Sequence, residues 1–154
     1  MKFIVDNNVG KLAVWLRALG YDTLFINPID DTELVEIAKR EERIIITKDT
    51  GVFKRRPVAS GEVKAVFVES PVWKLQLAQV MRQLKLRTNK QFTRCIKCNA
   101  VLEPCPREAA KEHVPPKIFR FYDSFFKCRH CERIYWEGSH WRRMNNVLSS
   151  LSEP

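Results

Sequence analysis

Short unbroken apolar runs and helical stripes follow one another along the first 84 residues. Phe3-Ile4-Val5 stops at Asp6 and predicts a strand, and Val9, Leu12, Ala13, Leu16 and Leu19 then recur at spacings of three and four, predicting a helix closed by Gly20. Thr23 to Ile26 predicts a second strand. After Asn27-Pro28, the polar start Asp30-Asp31-Thr32-Glu33 opens a helix whose buried stripe is Leu34, Ile37 and Ala38. Arg43 to Thr47 holds three isoleucines with no polar alternation, the pattern of a strand covered on both faces of a parallel sheet. Val63 to Val68 predicts a fourth strand, and Ser70-Pro71 a cap for a helix reaching about Leu84, with Val72, Leu75, Val80 and Leu84 apolar. Strands alternating with helices predict an α/β fold with a parallel sheet flanked by helices and right-handed crossovers.

The pattern then changes. Lys85 to Gln91 is basic and polar and reads as a linker, and Phe92 to Pro154 has weak periodicity but many Cys, Pro and aromatic residues. Two domains are expected, 1–91 and 92–154, within the 154 residues. The net charge of +9 favours a polyanion such as nucleic acid as partner, with a solvated basic surface as the plainer account. Residues 1–91 carry 16 Lys and Arg against 11 Asp and Glu, and residues 92–154 carry 11 against 7, so no single basic tail accounts for the charge. An aspartate at position 6 interrupts any leader-like apolar core, and no apolar run has membrane-spanning length. A cytoplasmic protein is expected, with no membrane partner and no organic cofactor.

In a reducing compartment, paired cysteines point to metal rather than to disulfides. Cys95-Ile96-Lys97-Cys98 and Cys128-Arg129-His130-Cys131 each offer two sulfurs on one side of a tetrahedron, and together they close a four-thiolate Zn²⁺ site with no open position for substrate. This metal is expected to be structural, the core of a small C-terminal zinc ribbon. Cys105 reads as a free thiol and His113 as a solvent-facing loop residue, while His130, inside the second turn, could replace a sulfur but fits the site less well than the cysteine pair.

A second constellation is acidic. Asp6 follows the first strand and Asp49 the isoleucine strand, so both lie at the carboxyl edge of a parallel sheet, where ligands of such sheets bind, and Asp30, Asp31 and Glu33 begin the helix after the second strand and approach the same edge. Converging carboxylates without basic partners select a hard divalent cation, Mg²⁺ or Mn²⁺. Simpler roles exist for each: Asp30 or Asp31 as helix N-cap, Asp49 as a turn residue.

With these motifs in place, the chain resembles a known family. Asp6, the run Lys11-Leu12-Ala13-Val14-Trp15-Leu16-Arg17-Ala18-Leu19-Gly20-Tyr21-Asp22, Asp31 through Ala38, and Ile46-Thr47-Lys48-Asp49 resemble the PIN-like ribonucleases of the Mut-seven C-terminal type. Cys95-x-x-Cys98-Asn99, Pro115-Pro116, Cys128-x-x-Cys131 and Tyr135-Trp136-Glu137-Gly138-Ser139-His140-Trp141 resemble that family's zinc-ribbon extension. One departure is Asn7-Asn8-Val9, where the family usually has apolar residues. The resemblance implies a PIN-like sheet, RNA hydrolysis with divalent metal, and Asp6, Asp31 and Asp49 as catalytic positions. Lys11, Arg17, Lys48, Arg55 and Arg56 are then candidate phosphate contacts, and His140 and Trp141, with Tyr135 and Trp136, candidate stacking residues for single-stranded RNA. The rival reading is a non-catalytic RNA- or ribosome-binding module.

Overall fold

A computed structural model describes residues 1–88 and 90–152; Asn89 of the expected linker and Glu153-Pro154 at the end of the expected second domain lie outside the described residues. The chain runs β1 (Lys2–Val5), α1 (Lys11–Ala18), β2 (Asp22–Phe25), α2 (Asp31–Glu41), β3 (Ile44–Thr47), α3 (Thr50–Phe53), α4 (Arg56–Ala59), β4 (Ala65–Phe67) and α5 (Trp73–Gln83). It continues through β5 (Glu103–Cys105), α6 (Arg107–Ala110), α7 (Pro116–Phe121), β6 (Phe125–Lys127), β7 (Ile134–Tyr135) and α8 (Ser139–Ser152).

The first four strands make one parallel sheet in the order β2-β1-β3-β4, with Val5 opposite both Phe25 and Ile46, and Thr47 opposite Phe67. Ile4, Val5, Ile45 and Ile46 are fully buried because both faces of the sheet are covered. One face packs on α1 and α5 through Leu12, Leu16, Leu77 and Val80, and the other on α2 to α4 through Leu34, Ile37 and Val52. The expected helix after Ser70 begins at Trp73, and its inward face is Gln76, Leu77, Val80 and Met81. Leu75 is exposed, as is Val72. Gln76 takes a buried position because its Nε2 donates to the Ser70 carbonyl at 2.7 Å, which satisfies the buried amide.

The second sheet, β5-β6-β7, is antiparallel and short. Residues 92–152 nevertheless do not stand apart from the first sheet. Met144 and Leu148 of α8 are buried in the same apolar cluster as α1 and α5, and the Phe92 amide donates to the Ala18 carbonyl at 2.7 Å. Leu86 of the expected linker packs on that cluster too. Among the described residues, no helix is long and apolar enough to cross a membrane.

Candidate functional site

Parallel pairing of β1 with β3 delivers Asp6 and Asp49 to the same edge, and the crossover after β2 brings the start of α2 beside them. The carboxylate oxygens of Asp6, Asp31 and Asp49 lie within 4.8 Å of one another, as a shared cation requires. Asp6 is 5% exposed. Its Oδ1 accepts from the Asn7 amide at 2.8 Å and its Oδ2 from the Thr47 hydroxyl at 2.7 Å. That hydroxyl also accepts from the Asp49 amide at 2.9 Å, so the last residue of β3 holds two of the three acids. The Gly51 amide donates to Asp49 Oδ1 at 2.8 Å. A Cβ on Gly51 would stand 3.0 Å from that oxygen and 3.8 Å from Asp31 Oδ2, so the small residue leaves room for the acids to converge.

The N-cap role falls to Asp30, whose Oδ1 accepts from the Glu33 amide at 2.8 Å. Asp31 is therefore free of that duty and turns to the acidic group. Burial, followed by the charges of Asp49 and Asp6, pushes the Asp31 carboxyl above its ordinary value, while Arg55 pulls it down. Asn7, which departs from the family pattern, donates through Nδ2 to the Ile29 carbonyl at 2.8 Å and ties the end of β1 to the segment entering α2.

The expected phosphate contacts divide. Arg55 donates to Thr32 Oγ1 at 2.9 Å and stands beside the acids. Arg56 begins α4, exposed, and Lys48 lies half-buried between Thr47 and Asp49. Lys11 sits 4.8 Å from the centre of the Trp73 ring, which stacks on Trp15. Arg17 is corrected: it is 7% exposed, and its guanidinium donates to the carbonyls of Thr23, Ile96 and Lys97 at 2.9 to 3.2 Å. Its place in the helical period puts it on the inward face of α1, where it fastens the first cysteine turn instead of meeting phosphate.

Cys95, Cys98, Cys128 and Cys131 form a second group, their sulfurs also within 4.8 Å of one another. Two of the separations are 3.4 Å (Cys95 to Cys131) and 3.2 Å (Cys98 to Cys128). A tetrahedral Zn²⁺ with bonds of about 2.3 Å needs sulfurs roughly 3.8 Å apart, so the cluster is consistent with a zinc ribbon. Burial opposes a thiolate at Cys95, but donors from the Tyr135 hydroxyl and the Cys98 and Lys97 amides bring its thiol down to about 6. Burial and the neighbouring sulfurs push Cys98 up to about 12 and raise Cys131. Such mutual opposition is what a cation removes. Cys105 stays outside the group, and His113 and His130 are exposed.

The two clusters lie at opposite edges of the parallel sheet. Asn99, next to Cys98, accepts through Oδ1 from the Thr23 amide at the amino end of β2 and donates through Nδ2 to Asp22 at 2.7 Å. His140 and Trp141 belong to this far end. Trp141 packs at 4.8 Å on Phe92, and both residues line a groove of about 650 Å³ between the ribbon and α8. Thr47, Gly51 and Asn99 have no role predicted from sequence. The available signal for Thr47 is a lone hydroxyl ending an all-isoleucine strand.

A family model described as Mut7-C RNAse domain matches residues 1–148. The comparison with curated proteins gave no match, nor did that with solved structures.

Proposed function

The chain belongs to the Mut7-C RNAse domain family, and on that premise we propose that it is a metal-dependent ribonuclease cleaving RNA phosphodiester bonds at the Asp6, Asp31 and Asp49 edge. The observation that carries the reading is the convergence of three carboxylates within 4.8 Å, with Asp31 held above its ordinary value by burial and then by the charges of the other two. The donor set is all oxygen, which fits Mg²⁺ or Mn²⁺. When bound there, such a cation supplies Lewis-acid neutralisation of phosphate charge and a water of lowered pKa.

The chain's own residues do the positioning. Thr47 orients Asp6 and Asp49 in one stroke, since its hydroxyl donates to the first and accepts from the backbone of the second. Asn7 and Gly51 fix the flanking segments. Arg55, with Lys48, Arg56 and Lys11, offers positive charge on the same edge for the phosphates either side of the scissile bond. Zn²⁺ on the four cysteines gives the ribbon its structure, and His140 and Trp141 add RNA contacts beyond the acidic edge.

The test is cleavage of single-stranded RNA with Mn²⁺ or Mg²⁺ by the wild type beside Asp6→Asn and Asp49→Asn. Loss of a charged ligand is expected to lower kcat by orders of magnitude. Removing negative charge that faces phosphate leaves metal-free RNA binding equal or tighter. Equal cleavage by wild type and Asp49→Asn would place the activity elsewhere and favour a non-catalytic RNA-binding module.

A further inference from the structure

The groove between the ribbon and α8 is walled by aromatic rings drawn from separate parts of the chain: Phe92, Tyr122, Phe126, Trp136 and Trp141. Neighbouring rings hold two of them in place, Trp141 against Phe92 at 4.8 Å and Trp136 against Phe125 at 6.4 Å. Trp136 is further fixed by a glycine: a Cβ on Gly138 would fall 2.6 Å from the indole Nε1, so any larger residue displaces the ring. The side chains that bring hydrogen-bonding capacity to the lining include Thr93, Ser139, His140 and Arg94.

The groove's size and its charge both bear on the occupant. At about 650 Å³ it falls within the range of sites that bury a small planar ligand. Arg94 is the cation in its lining, and further cations adjoin the lining residues in sequence. Lys90, Lys97, Arg142 and Arg143 stand exposed on the segments that line the groove. Against them, Glu137 is the acid in the lining, exposed Glu132 stands two residues from Ile134, Glu103 is paired with Arg129, and Asp123 faces Arg107. Rings to stack on, with cations at the margin, are what single-stranded nucleic acid meets on its binding surfaces, whereas an apolar peptide has no use for the cations.

We propose that this groove receives an unstacked base of single-stranded RNA, with Trp136 and Trp141 as its stacking surfaces and the neighbouring arginines and lysines on the flanking phosphates. The site rests on the ribonuclease reading for its substrate class, but it is a second binding site, because the groove and the carboxylates occupy opposite edges of the sheet. The strands between those edges are four residues long, about 13 Å at 3.3 Å per residue. A bound RNA therefore spans the protein from an anchoring base to a cutting edge.

The test reads binding and not cleavage, so it stands whether or not the carboxylate site hydrolyses RNA. The full chain, without added Mg²⁺ or Mn²⁺, is titrated with a fluorescent ten-nucleotide oligoadenylate and with an abasic strand of the same length. The expected result is about tenfold or greater preference for the strand that carries bases. Trp136→Ala removes most of that preference and leaves affinity for the abasic strand unchanged, while Trp136→Phe restores part of it. In the wild type, adenosine monophosphate shifts the Trp136 and Trp141 indole NMR signals, a readout independent of any variant's folding. Equal affinity for the two strands overturns the proposal. So do indole signals that ignore the nucleotide, including the case where an apolar peptide moves them instead.

Discussion

Thr47 shows how much a single buried hydroxyl can govern. It is fully buried at the end of β3 and joins Asp6 to the Asp49 backbone. Thr47→Val keeps the shape and removes both hydrogen bonds, and groups that orient metal ligands typically matter by about tenfold to a hundredfold. Steady-state kinetics should show that loss in kcat, with zinc content unchanged. Asp31 carries the opposite signature in stability. Its folded carboxyl is raised by burial, Asp49 and Asp6, so the folded state loses stability as pH rises through that value and the charge appears. Asp31→Asn is expected to raise the metal-free melting temperature and to abolish the stabilisation that Mn²⁺ gives the wild type. Asp22 runs the other way. Its burial opposes the charge, but Arg43 at 2.8 Å and Asn99 at 2.7 Å hold its carboxyl below the usual range. The stability it contributes is complete above the unfolded value of about 3.9 and declines as pH falls through the lower folded one. Urea midpoints across the acid range should fall less steeply for Asp22→Asn than for the wild type.

At the scale of elements, the alternation of β1 through α5 is legible in the sequence because fully buried strands read as unbroken apolar runs and their helices as stripes. Asp6 and Asp49 are legible for the same reason, since each follows a predicted strand, whereas Asp31 is one of three acids at the start of a predicted helix and only the family resemblance singles it out. The docking of α8 is not legible. Trp141, Met144, Leu148 and Leu151 repeat at helical spacing, but periodicity names a face without naming its partner. Arg17 is misread from sequence for a related reason: a cation on an inward face can be satisfied by carbonyls that arrive from about 80 residues away. Because α8 shares a core with α1 and α5, Leu148→Ala should cost about 2–5 kcal/mol. Denaturant unfolding should remain one transition, with tryptophan fluorescence and far-UV circular dichroism coinciding. Two separated transitions would show that α8 adds little to the sheet.

For the whole molecule, the proposed base-binding groove and the proposed carboxylate site lie at opposite ends of the sheet, an arrangement that predicts cleavage dependent on substrate length. Shortening a single-stranded substrate from about ten nucleotides to about three should raise KM by at least the tenfold a stacked base supplies, while kcat changes little. Kinetics on a ladder of oligonucleotides checks this. The junction that separates the two ends also has a consequence for the solubility of the chain. β2 is the outermost strand of the parallel sheet, and the Thr23 amide on its open side is taken by Asn99. Asn99 follows Cys98 of the four-cysteine group and holds a left-handed backbone, φ 76°, a conformation asparagine tolerates better than most residues. An open strand edge is a template for another chain, and proteins that leave one uncovered risk intermolecular β-pairing. The cysteine turn thus acts as a guard on the sheet's border. If the four cysteines hold the proposed Zn²⁺, stripping it should release Asn99, expose that border and drive the chain into β-rich aggregates, seen as rising light scattering and thioflavin fluorescence under chelation. Asn99→Ala should aggregate in the same way with its zinc still bound.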